Sequence, residues 1–471
     1  MQKNDILEID IERISEDGNG IGHIPGDGRI IFCKGALPGE KISAQIIKIT
    51  KSYAAARTCS ILSESPDRIK PDCEFFGKCG GCSFRHYDYT AQLKAKEQHV
   101  RDCIERIGGF SHAVNTSPIE YLPIVGMDKP ENYRNKAIFP FGTDKGGRIT
   151  CGFYRKNSHD IIEITNCRLE NKYAESIRTA VLQFARKFKL SAYCERTGKG
   201  LLRSIMIRTS HTENNAMAVI IATRELPHTD ELVSFVTSHC PFISSLYLNL
   251  NKSSSNTIMG SEFIHLFGRT MLRDSILGTK FDISPMSFYQ VNPTQTEKLY
   301  SAAISFAEIN GGENVLDIYC GIGTIGLCLA NHVQKKGAPL SSLTGIEYIA
   351  RAIEDAKHNA EINGIENTYF YAGDAGEVLA DLTKNSSANK IPRNYDLVIL
   401  DPPRKGCDEK LLDTAVSVSP EKIVYVSCNP ATLARDLKYL AEKGYAPKKV
   451  QAVDMFPYTG HVETVVLMSR R

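Results

Sequence analysis

The chain has 471 residues, of which 42% are hydrophobic and 24% are charged, a composition typical of soluble globular proteins. At roughly 100–200 residues per domain, this length predicts two to four domains. The start of the chain lacks the apolar stretch of a signal peptide, and the most apolar run, residues 216–222, is shorter than the ~20 residues that span a bilayer. We therefore expect a cytoplasmic protein without a membrane segment. The net charge of +3 is too small to indicate a nucleic-acid partner by itself.

Residues 1–63 predict a small β-barrel. Short β-type runs at 6–14, 29–32, 41–49 and 55–62 are separated by glycine-rich turns. A closed barrel of about five strands, similar to the oligonucleotide-binding barrels, fits this pattern, and a small SH3-like barrel fits it as well. Between residues 29 and 60 the only acid is Glu40, so this basic strip would attract phosphates, although a solvated face explains it too.

Residues 64–280 predict an α+β central domain that opens with a cysteine cluster and a helix over 90–107. Cys73, Cys79 and Cys82 form the pattern C-x5-C-x2-C, and in a reducing compartment such a cluster indicates a metal or iron–sulfur site. The nearest candidates for a fourth ligand are Cys151 and Cys167, followed by Cys103. Zinc and iron–sulfur clusters both accept four thiolates, so the spacing leaves the metal open.

Residues 281–471 predict a doubly wound, Rossmann-like parallel sheet, because strands and helices alternate regularly. The predicted strands are 314–318, 343–347, 369–373, 396–400, 422–427, 448–455 and 463–468. The predicted helices between them are 324–331, 349–363, 408–418 and 430–442. The last two strands have no helix between them, so we expect an antiparallel hairpin.

Five polar side chains stand at the carboxyl ends of successive predicted strands, where open α/β sheets bind their ligands. They are Asp317, Glu347, Asp374, Asp401 and Cys428. Gly321, Gly323 and Gly326 spell G-x-G-x-x-G between a strand and a helix, and an acid follows about 20 residues later, as in nucleotide-binding sites. This pattern alone fits a nicotinamide cofactor as well as S-adenosylmethionine.

The surroundings of the glycines favour a methyltransferase. Asp317 stands just ahead of them, where methyltransferases place an acid near the methionine end of the cofactor, and the run Asp401-Pro402-Pro403-Arg404 has no role in a nicotinamide site. Glu347 can accept both ribose hydroxyls, and Asp374 can accept from the adenine amino group. Asp-Pro-Pro also occurs in enzymes that methylate exocyclic amino groups, but there an aromatic residue usually follows instead of arginine.

Cys428 ends the fifth predicted strand where a helix begins, and a helix N-terminus is expected to lower the pKa of a thiol. A thiolate that adds to carbon 6 of uracil makes carbon 5 nucleophilic, and a base must afterwards remove the carbon 5 proton. Glu463 is the best-placed base, with His461 as the competing candidate. The segment 287–293, with Phe288, Tyr289 and Gln290, suits stacking on a base and hydrogen bonding to its edge.

Together these motifs resemble the RNA uracil-5 methyltransferases, over essentially the whole chain. Residues 18–66 look like the family's TRAM domain, residues 71–92 look like the iron–sulfur segment of its ribosomal-RNA branch, and residues 133–136 and 165–168 match its central domain. The catalytic motifs are Phe288-Tyr289-Gln290-Val291-Asn292, Asp401-Pro402-Pro403-Arg404, Ser427-Cys428-Asn429-Pro430 and Glu463.

The resemblance implies an S-adenosylmethionine-dependent enzyme that methylates carbon 5 of uridine in RNA, with Cys428 as nucleophile and Glu463 as proton acceptor. The implied cofactor contacts are Gln290, Tyr319, Glu347, Asp374 and Asp401. It also implies a four-iron four-sulfur cluster on Cys73, Cys79, Cys82 and Cys167. It favours 23S ribosomal RNA over transfer RNA as the substrate, because the simpler transfer-RNA enzymes lack the cluster and the TRAM segment.

Three other functions fit parts of the sequence: a nicotinamide-linked oxidoreductase that uses the cluster for electrons, a non-catalytic RNA-binding factor, and a cytosine-5 methyltransferase. An RNA cytosine-5 enzyme commonly has a cysteine after the proline of the fourth-strand motif, whereas Arg404 follows Pro403 here. The oligomeric state does not follow from the sequence, and we expect a monomer.

Overall fold

The computed structural model describes residues 2–110, 118–255, 257–384 and 392–471. Within these ranges no helix is long and apolar enough to cross a membrane. The N-terminal strands are β1 (Ile6–Ile14), β2 (Asn19–His23), β3 (Ile30–Lys34), β4 (Lys41–Ile49) and β5 (Tyr53–Ser63). They form a closed barrel in the order β1-β2-β3-β5-β4. The predicted closed barrel of about five strands is confirmed.

A helix and a single strand connect the barrel to the rest of the molecule. Helix α1 (Tyr89–Asp102) continues into a π-helical turn, Cys103–Ile107, which together match the helix predicted over 90–107. Strand β6 (Glu120–Val125) follows and pairs in parallel with a strand near the C-terminus of the chain. Although β6 falls in the segment 64–280, it therefore belongs to the C-terminal sheet. The domain boundaries at 63 and 280 stay predictions.

The central sheet has six strands in the order β14-β13-β12-β11-β7-β8. Its strands are β7 (Lys136–Thr143), β8 (Ile149–Cys151), β11 (Leu202–Thr209), β12 (Ala216–Ala222), β13 (Ile243–Leu250) and β14 (Glu262–Gly268). Helices α2 (Lys172–Lys187) and α3 (Thr229–His239) cover one face. Two small hairpins flank the sheet: β9 (Phe153–Tyr154) with β10 (Ile161–Ile162), and β15 (Leu272–Ile276) with β16 (Thr279–Ile283).

The C-terminal sheet has eight strands in the order β19-β18-β17-β20-β21-β23-β22-β6. Its remaining strands are β17 (Asn314–Ile318), β18 (Ser342–Glu347), β19 (Thr368–Ala372), β20 (Leu397–Leu400), β21 (Lys422–Ser427), β22 (Tyr445–Val453) and β23 (Glu463–Arg470). The helices are α4 (Pro293–Ala307), α5 (Thr324–Gln334), α6 (Ala350–Ile362), α7 (Ala375–Lys384), α8 (Glu409–Ser417) and α9 (Pro430–Glu442).

This sheet confirms the predicted Rossmann-like fold. The central strands β17, β20 and β21 are buried on both faces, which explains their continuous runs of branched aliphatic residues. Strand β23 pairs antiparallel with both β21 and β22, so the predicted terminal hairpin is present. Helix α7 and strand β6 were not predicted from the sequence.

Candidate active site

A glycine turn joins β17 to α5 at the carboxyl rim of the sheet. The backbone N–H of Gly326 donates to Oδ2 of Asp317 over 3.0 Å, and a Cβ on residue 326 would lie 2.7 Å from that oxygen. A side chain at this position would therefore displace the Asp317 carboxylate that holds the turn. Asp317 is 2% exposed, and burial raises its pKa to about 8. Through this hydrogen bond the Asp317 side chain stabilises the first turn of α5.

Glu347 ends the neighbouring strand β18 and is tied to the same turn. Its carboxylate accepts from the backbone N–H of Gly321 over 3.3 Å and from that of Ile349 over 3.0 Å. Tyr348 and Ile349 directly after it are 78% and 61% exposed. Exposed apolar side chains beside a polar rim mark ligand sites. The sequence analysis missed this pair because Ile349 was taken for the first residue of a helix.

Two further predicted contacts lie on the same rim. Asp374 is exposed and its Oδ1 accepts from the backbone N–H of Glu377 over 3.2 Å, so it also supports the first turn of α7. Tyr319 follows β17 with a left-handed backbone, φ +66°, and its N–H donates to the carbonyl of Ile346 over 2.9 Å. Tyr319 lies two residues before Gly321 of the glycine turn, and Asp374 follows β19, the neighbour of β18; their contact with a cofactor stays a prediction.

Gln290 lies on the loop between β16 and α4 and is 7% exposed. The central sheet fixes this loop, because Asn135 donates from Nδ2 to the carbonyl of Gln290 over 3.0 Å. On the loop's other side, Ser284 donates from its hydroxyl to Oδ2 of Asp355 over 2.7 Å. Phe288 is 67% exposed, whereas Tyr289 is 3% exposed. Of the two aromatic residues predicted to stack on a base, only Phe288 is available.

Cys428 and Glu463 are brought together by the register of β21 and β23. Ser427 and Thr464 form the last pair of this antiparallel ladder, and Cys428 and Glu463 are the next residues along the two segments. The charge of Glu463 acts on the Cys428 thiol, so the two side chains are close. Glu463 is 4% exposed, and the Cys428 thiol is half-buried. The two predicted catalytic residues are therefore neighbours at the sheet rim.

The pKa of Cys428 differs from the sequence expectation. Burial, followed by the charges of Glu463 and Asp401, raises it to about 11, and Arg404 acts in the opposite direction. The expected lowering by the helix N-terminus is wrong for this structure, because burial of the thiol, and after it the two nearby carboxylates, act in the opposite direction. Burial, then Asp401, raises the pKa of Glu463 to about 8, and burial raises that of Asp401 to about 7.

The Asp-Pro-Pro-Arg segment is attached to the start of α9. Asn429 caps this helix and donates from Nδ2 to the carbonyl of Arg404 over 3.3 Å. The Arg404 guanidinium lies 3.4 Å from Nε2 of His461. Burial and then Arg404 lower the pKa of His461, so the imidazole is kept neutral beside the cation.

The four cysteines predicted as ligands line a single cavity. Cys73, Cys79, Cys82 and Cys167 surround it together with aromatic and aliphatic side chains, Glu170 and three arginines, Arg85, Arg134 and Arg168. Cys151, the other close candidate, is fully buried in the core beneath α2. Among the described residues, no three His, Cys, Asp or Glu side chains converge closely enough to hold a metal ion. The four thiols therefore line the wall of the cavity and do not converge on a single ligand position.

The cavity segment contacts the loop that precedes Glu463. The backbone N–H groups of Ser83 and Phe84 donate to the carbonyl of Tyr458 over 2.9 and 3.0 Å. The Arg85 guanidinium lies 4.1 Å from the centre of the Tyr458 ring. Tyr458 has a left-handed backbone, φ +65°, so this loop conformation depends on the contacts that hold it.

Comparison with known proteins identifies the class. A family profile described as tRNA (Uracil-5-)-methyltransferase matches residues 273–471, and one described as TRAM domain matches residues 2–58. The crystal structure of Pyrococcus abyssi tRNA (uracil-54, C5)-methyltransferase in complex with S-adenosyl-L-homocysteine is similar, with a TM-score of 0.75, 26% identity, and coverage of 98% of this chain and 100% of that chain. The fold and site are those of an S-adenosylmethionine-dependent RNA methyltransferase.

Relatives in bacteria extend over the full length. An uncharacterized RNA methyltransferase of Listeria innocua is 42% identical over 470 residues, which cover 100% of this chain and 98% of the relative. One of Clostridium acetobutylicum is 42% identical over 471 residues, with the same coverage. The chain belongs to this RNA methyltransferase family, with a TRAM domain followed by a catalytic domain of the tRNA (uracil-5-)-methyltransferase type.

Proposed function

We propose that the protein methylates carbon 5 of a uridine in RNA through a covalent adduct on Cys428, with Glu463 as the base. The observation that supports the proposal is the Ser427–Thr464 pair that ends the β21–β23 ladder, because it leaves Cys428 and Glu463 as neighbours, with the Glu463 charge acting on the thiol. A nucleophile and a base are both required, because carbon 5 of uracil is a poor nucleophile until carbon 6 is attacked.

The residues act in a fixed order. The Cys428 sulfur bonds to carbon 6 of uracil, and the electron pair of the 5,6 double bond moves onto the uracil ring as an enolate. Carbon 5 then takes the methyl group that S-adenosylmethionine would supply, with its sulfur–methyl bond broken and S-adenosyl-L-homocysteine left as the neutral thioether. Glu463 then accepts the carbon 5 proton, the 5,6 double bond re-forms, and the carbon–sulfur bond breaks to return the Cys428 thiolate. Arg404, beside this pair, suits the oxygen on which the enolate charge develops.

The raised pKa values fit this order. With a pKa of about 11, the Cys428 thiol is protonated in the free enzyme and must lose its proton when substrate binds. A positively charged ligand beside Asp401 and Glu463 would favour the ionised forms of both carboxyls. A carboxyl with a pKa of about 8 is also a stronger base than an ordinary glutamate once it is ionised.

The cofactor would lie along the rim from Gln290 to Asp374. Glu347 would accept the ribose hydroxyls, Asp374 the adenine amino group, and Tyr348 with Ile349 would cover the adenine ring. Asp401 and Gln290 would contact the methionine end, and Tyr319 would hold the turn next to it. The support for this placement is the hydrogen bond from the turn at Gly321 to Glu347 and the action of the Asp401 and Glu347 charges on Asp317 below the same turn.

The thiol cavity suits an iron–sulfur cluster on Cys73, Cys79, Cys82 and Cys167. Nη1 of Arg85 and Nε of Arg134 are buried without a hydrogen-bond partner, and both arginines line the cavity. Cluster sulfurs and thiolates carry negative charge and accept hydrogen bonds, so they would satisfy these two donors. A bound cluster would supply structural cross-links between the segments 73–82 and 167, because the methylation needs no electron transfer. Iron and acid-labile sulfide in the purified protein test this, and zinc without sulfide would contradict it.

Ribosomal RNA, specifically 23S ribosomal RNA, is the first candidate substrate, on the basis of the barrel and the thiol segment. Transfer RNA is the second, and a specific observation favours it: the similar Pyrococcus enzyme acts on transfer RNA and aligns with 98% of this chain. Because that alignment extends over nearly the whole chain and so includes the barrel, the barrel by itself does not separate the two substrates.

The activity is tested with unmodified transcripts of both RNAs. Each is incubated with the protein and S-adenosylmethionine, digested to nucleosides and analysed by mass spectrometry. We expect 5-methyluridine from one RNA and none from the other. Methylated cytidine or adenosine in place of 5-methyluridine would overturn the proposal.

A further inference from the structure

Two cationic side chains lie next to each other on the central sheet. Lys136 begins β7, and Arg208 on β11 is its partner in the antiparallel register. Directly opposed like charges repel, so such a pair is unfavourable unless an anion joins it. Lys136 is half-buried, and its side chain makes no hydrogen bond or ion pair within the described part of the chain.

Arg208, the register partner of Lys136 on the neighbouring strand, is only 1% exposed. Its Nη2 donates to the carbonyl of Ser287 over 2.7 Å, while Nε and Nη1 are buried without a partner. Tyr289 and Asp274 act electrostatically on Arg208; Oδ1 of Asp274 accepts from donors of residues 210–212 and 275, and Oδ2 of Asp274 is buried without a partner. Arg208 therefore has an acid near it, whereas the only charge that acts on Lys136 within the described part of the chain is that of Arg208, so Lys136 is the cation of the pair that lacks an anionic partner.

The pair lies directly behind the loop that presents Phe288. Arg208 bonds to Ser287 on one side of this aromatic residue, and Asn135, next to Lys136, bonds to Gln290 on the other. A nucleotide stacked on the exposed Phe288 ring has a phosphate on each side within one nucleotide's length. A phosphate is therefore the anion most easily brought to Lys136. Burial, and then Arg208, lower the pKa of Lys136 to about 8, which agrees with the lack of a negative partner.

We propose that Lys136, backed by Arg208, binds a backbone phosphate of the RNA strand adjacent to the target nucleotide. The inference rests on the proposed function, because it takes RNA as the substrate. Phosphate binding at Lys136 would also be coupled to the position of the loop that carries Phe288 and Gln290, because Arg208 and Asn135 hold that loop.

The test is the salt dependence of RNA binding by Lys136→Gln. Binding of unmodified large-subunit ribosomal RNA and transfer RNA transcripts is measured by filter binding over a series of KCl concentrations. Loss of one phosphate contact should reduce the slope of log K against log[KCl] by about 1 and weaken binding to either RNA. Lys136→Arg keeps the cation and should restore the slope. Lys145→Gln is the matched control, because Lys145 is an exposed lysine in the turn after the far end of the same strand.

Two further measurements separate the outcomes. Thermal melting shows that each variant is folded, and calorimetry with S-adenosyl-L-homocysteine shows whether the cofactor site is intact. An unchanged slope in folded Lys136→Gln would overturn the subsite. A loss of S-adenosyl-L-homocysteine affinity with an unchanged slope would assign the anion to the cofactor carboxylate and overturn the phosphate. If wild type binds neither RNA, the proposed function fails, and the subsite with it.

Discussion

The backbone N–H of Ser83 donates to the carbonyl oxygen of Tyr458 over 2.9 Å, and this bond joins the thiol segment to the loop that precedes Glu463. Ser83 follows Cys82, which lines the thiol cavity. The proposed base is therefore held in place partly by a segment that the cluster would cross-link.

Loss of the cluster should loosen this loop. In Cys82→Ser we expect faster hydrogen exchange across residues 455–463, because Ser83 and Phe84 no longer hold Tyr458 in its left-handed conformation. Exchange is followed by mass spectrometry of the cluster-loaded protein and of the variant. Cys59→Ser, at an exposed cysteine of the barrel, is the control and should change nothing there. Equal protection of the loop in both variants would show that the segments are independent.

The buried ion pair between Lys96 and Asp454 should behave as a strongly coupled pair. Nζ of Lys96 lies 2.6 Å from Oδ1 of Asp454, and the two side chains are 2% and 0% exposed. Lys96→Met should lower the free energy of unfolding by about 3–5 kcal/mol, because it leaves a buried carboxylate without its partner. Adding Asp454→Leu should recover part of this loss. Urea unfolding of the two single variants and the double variant measures the coupling, and strictly additive losses would refute it.

Gly460→Ala should separate the barrel from the active-site loop. A Cβ at residue 460 would lie 2.0 Å from the carbonyl oxygen of Glu16, which is backbone and cannot move without shifting the barrel. We expect a lower melting temperature and slower methylation. Gly146→Ala is the matched control, since its Cβ would meet only the Asp144 side chain at 3.3 Å. Equal melting temperatures for the two variants would contradict the close approach.

The rate should rise with pH. Glu463 can accept the carbon 5 proton only when ionised, and its pKa is raised to about 8, so kcat/KM should increase as pH passes through that value. Ionisation of the Cys428 thiol, whose pKa is about 11, also increases the rate as the pH rises. If His461 were the base, the inflection due to the base would lie below pH 6.5, because its pKa is lowered from that value, and only the rise due to Cys428 would remain at higher pH. Single-turnover methylation over a pH series distinguishes the two.

Much of the catalytic domain could be predicted because its signals are local. The buried runs of β17, β20 and β21 and the glycine turn are visible in short stretches of sequence. Strand β6 could not be predicted as part of this sheet, because its partner β22 lies more than 300 residues away and parallel pairing leaves no turn signature. The pKa of Cys428 was predicted in the wrong direction because it depends on tertiary structure: burial raises it most, and Glu463 and Asp401 act on the thiol from other strands.

The central claim is the division of roles between Cys428 and Glu463. It is tested most directly by tritium release from RNA that carries tritium at uridine carbon 5, using the RNA that wild type methylates. Wild type should release tritium, Cys428→Ala should release none, and Glu463→Gln should accumulate an RNA–protein adduct that survives denaturing electrophoresis. Tritium release by Cys428→Ala at the wild-type rate would contradict the account, because carbon 5 would then react without the covalent adduct.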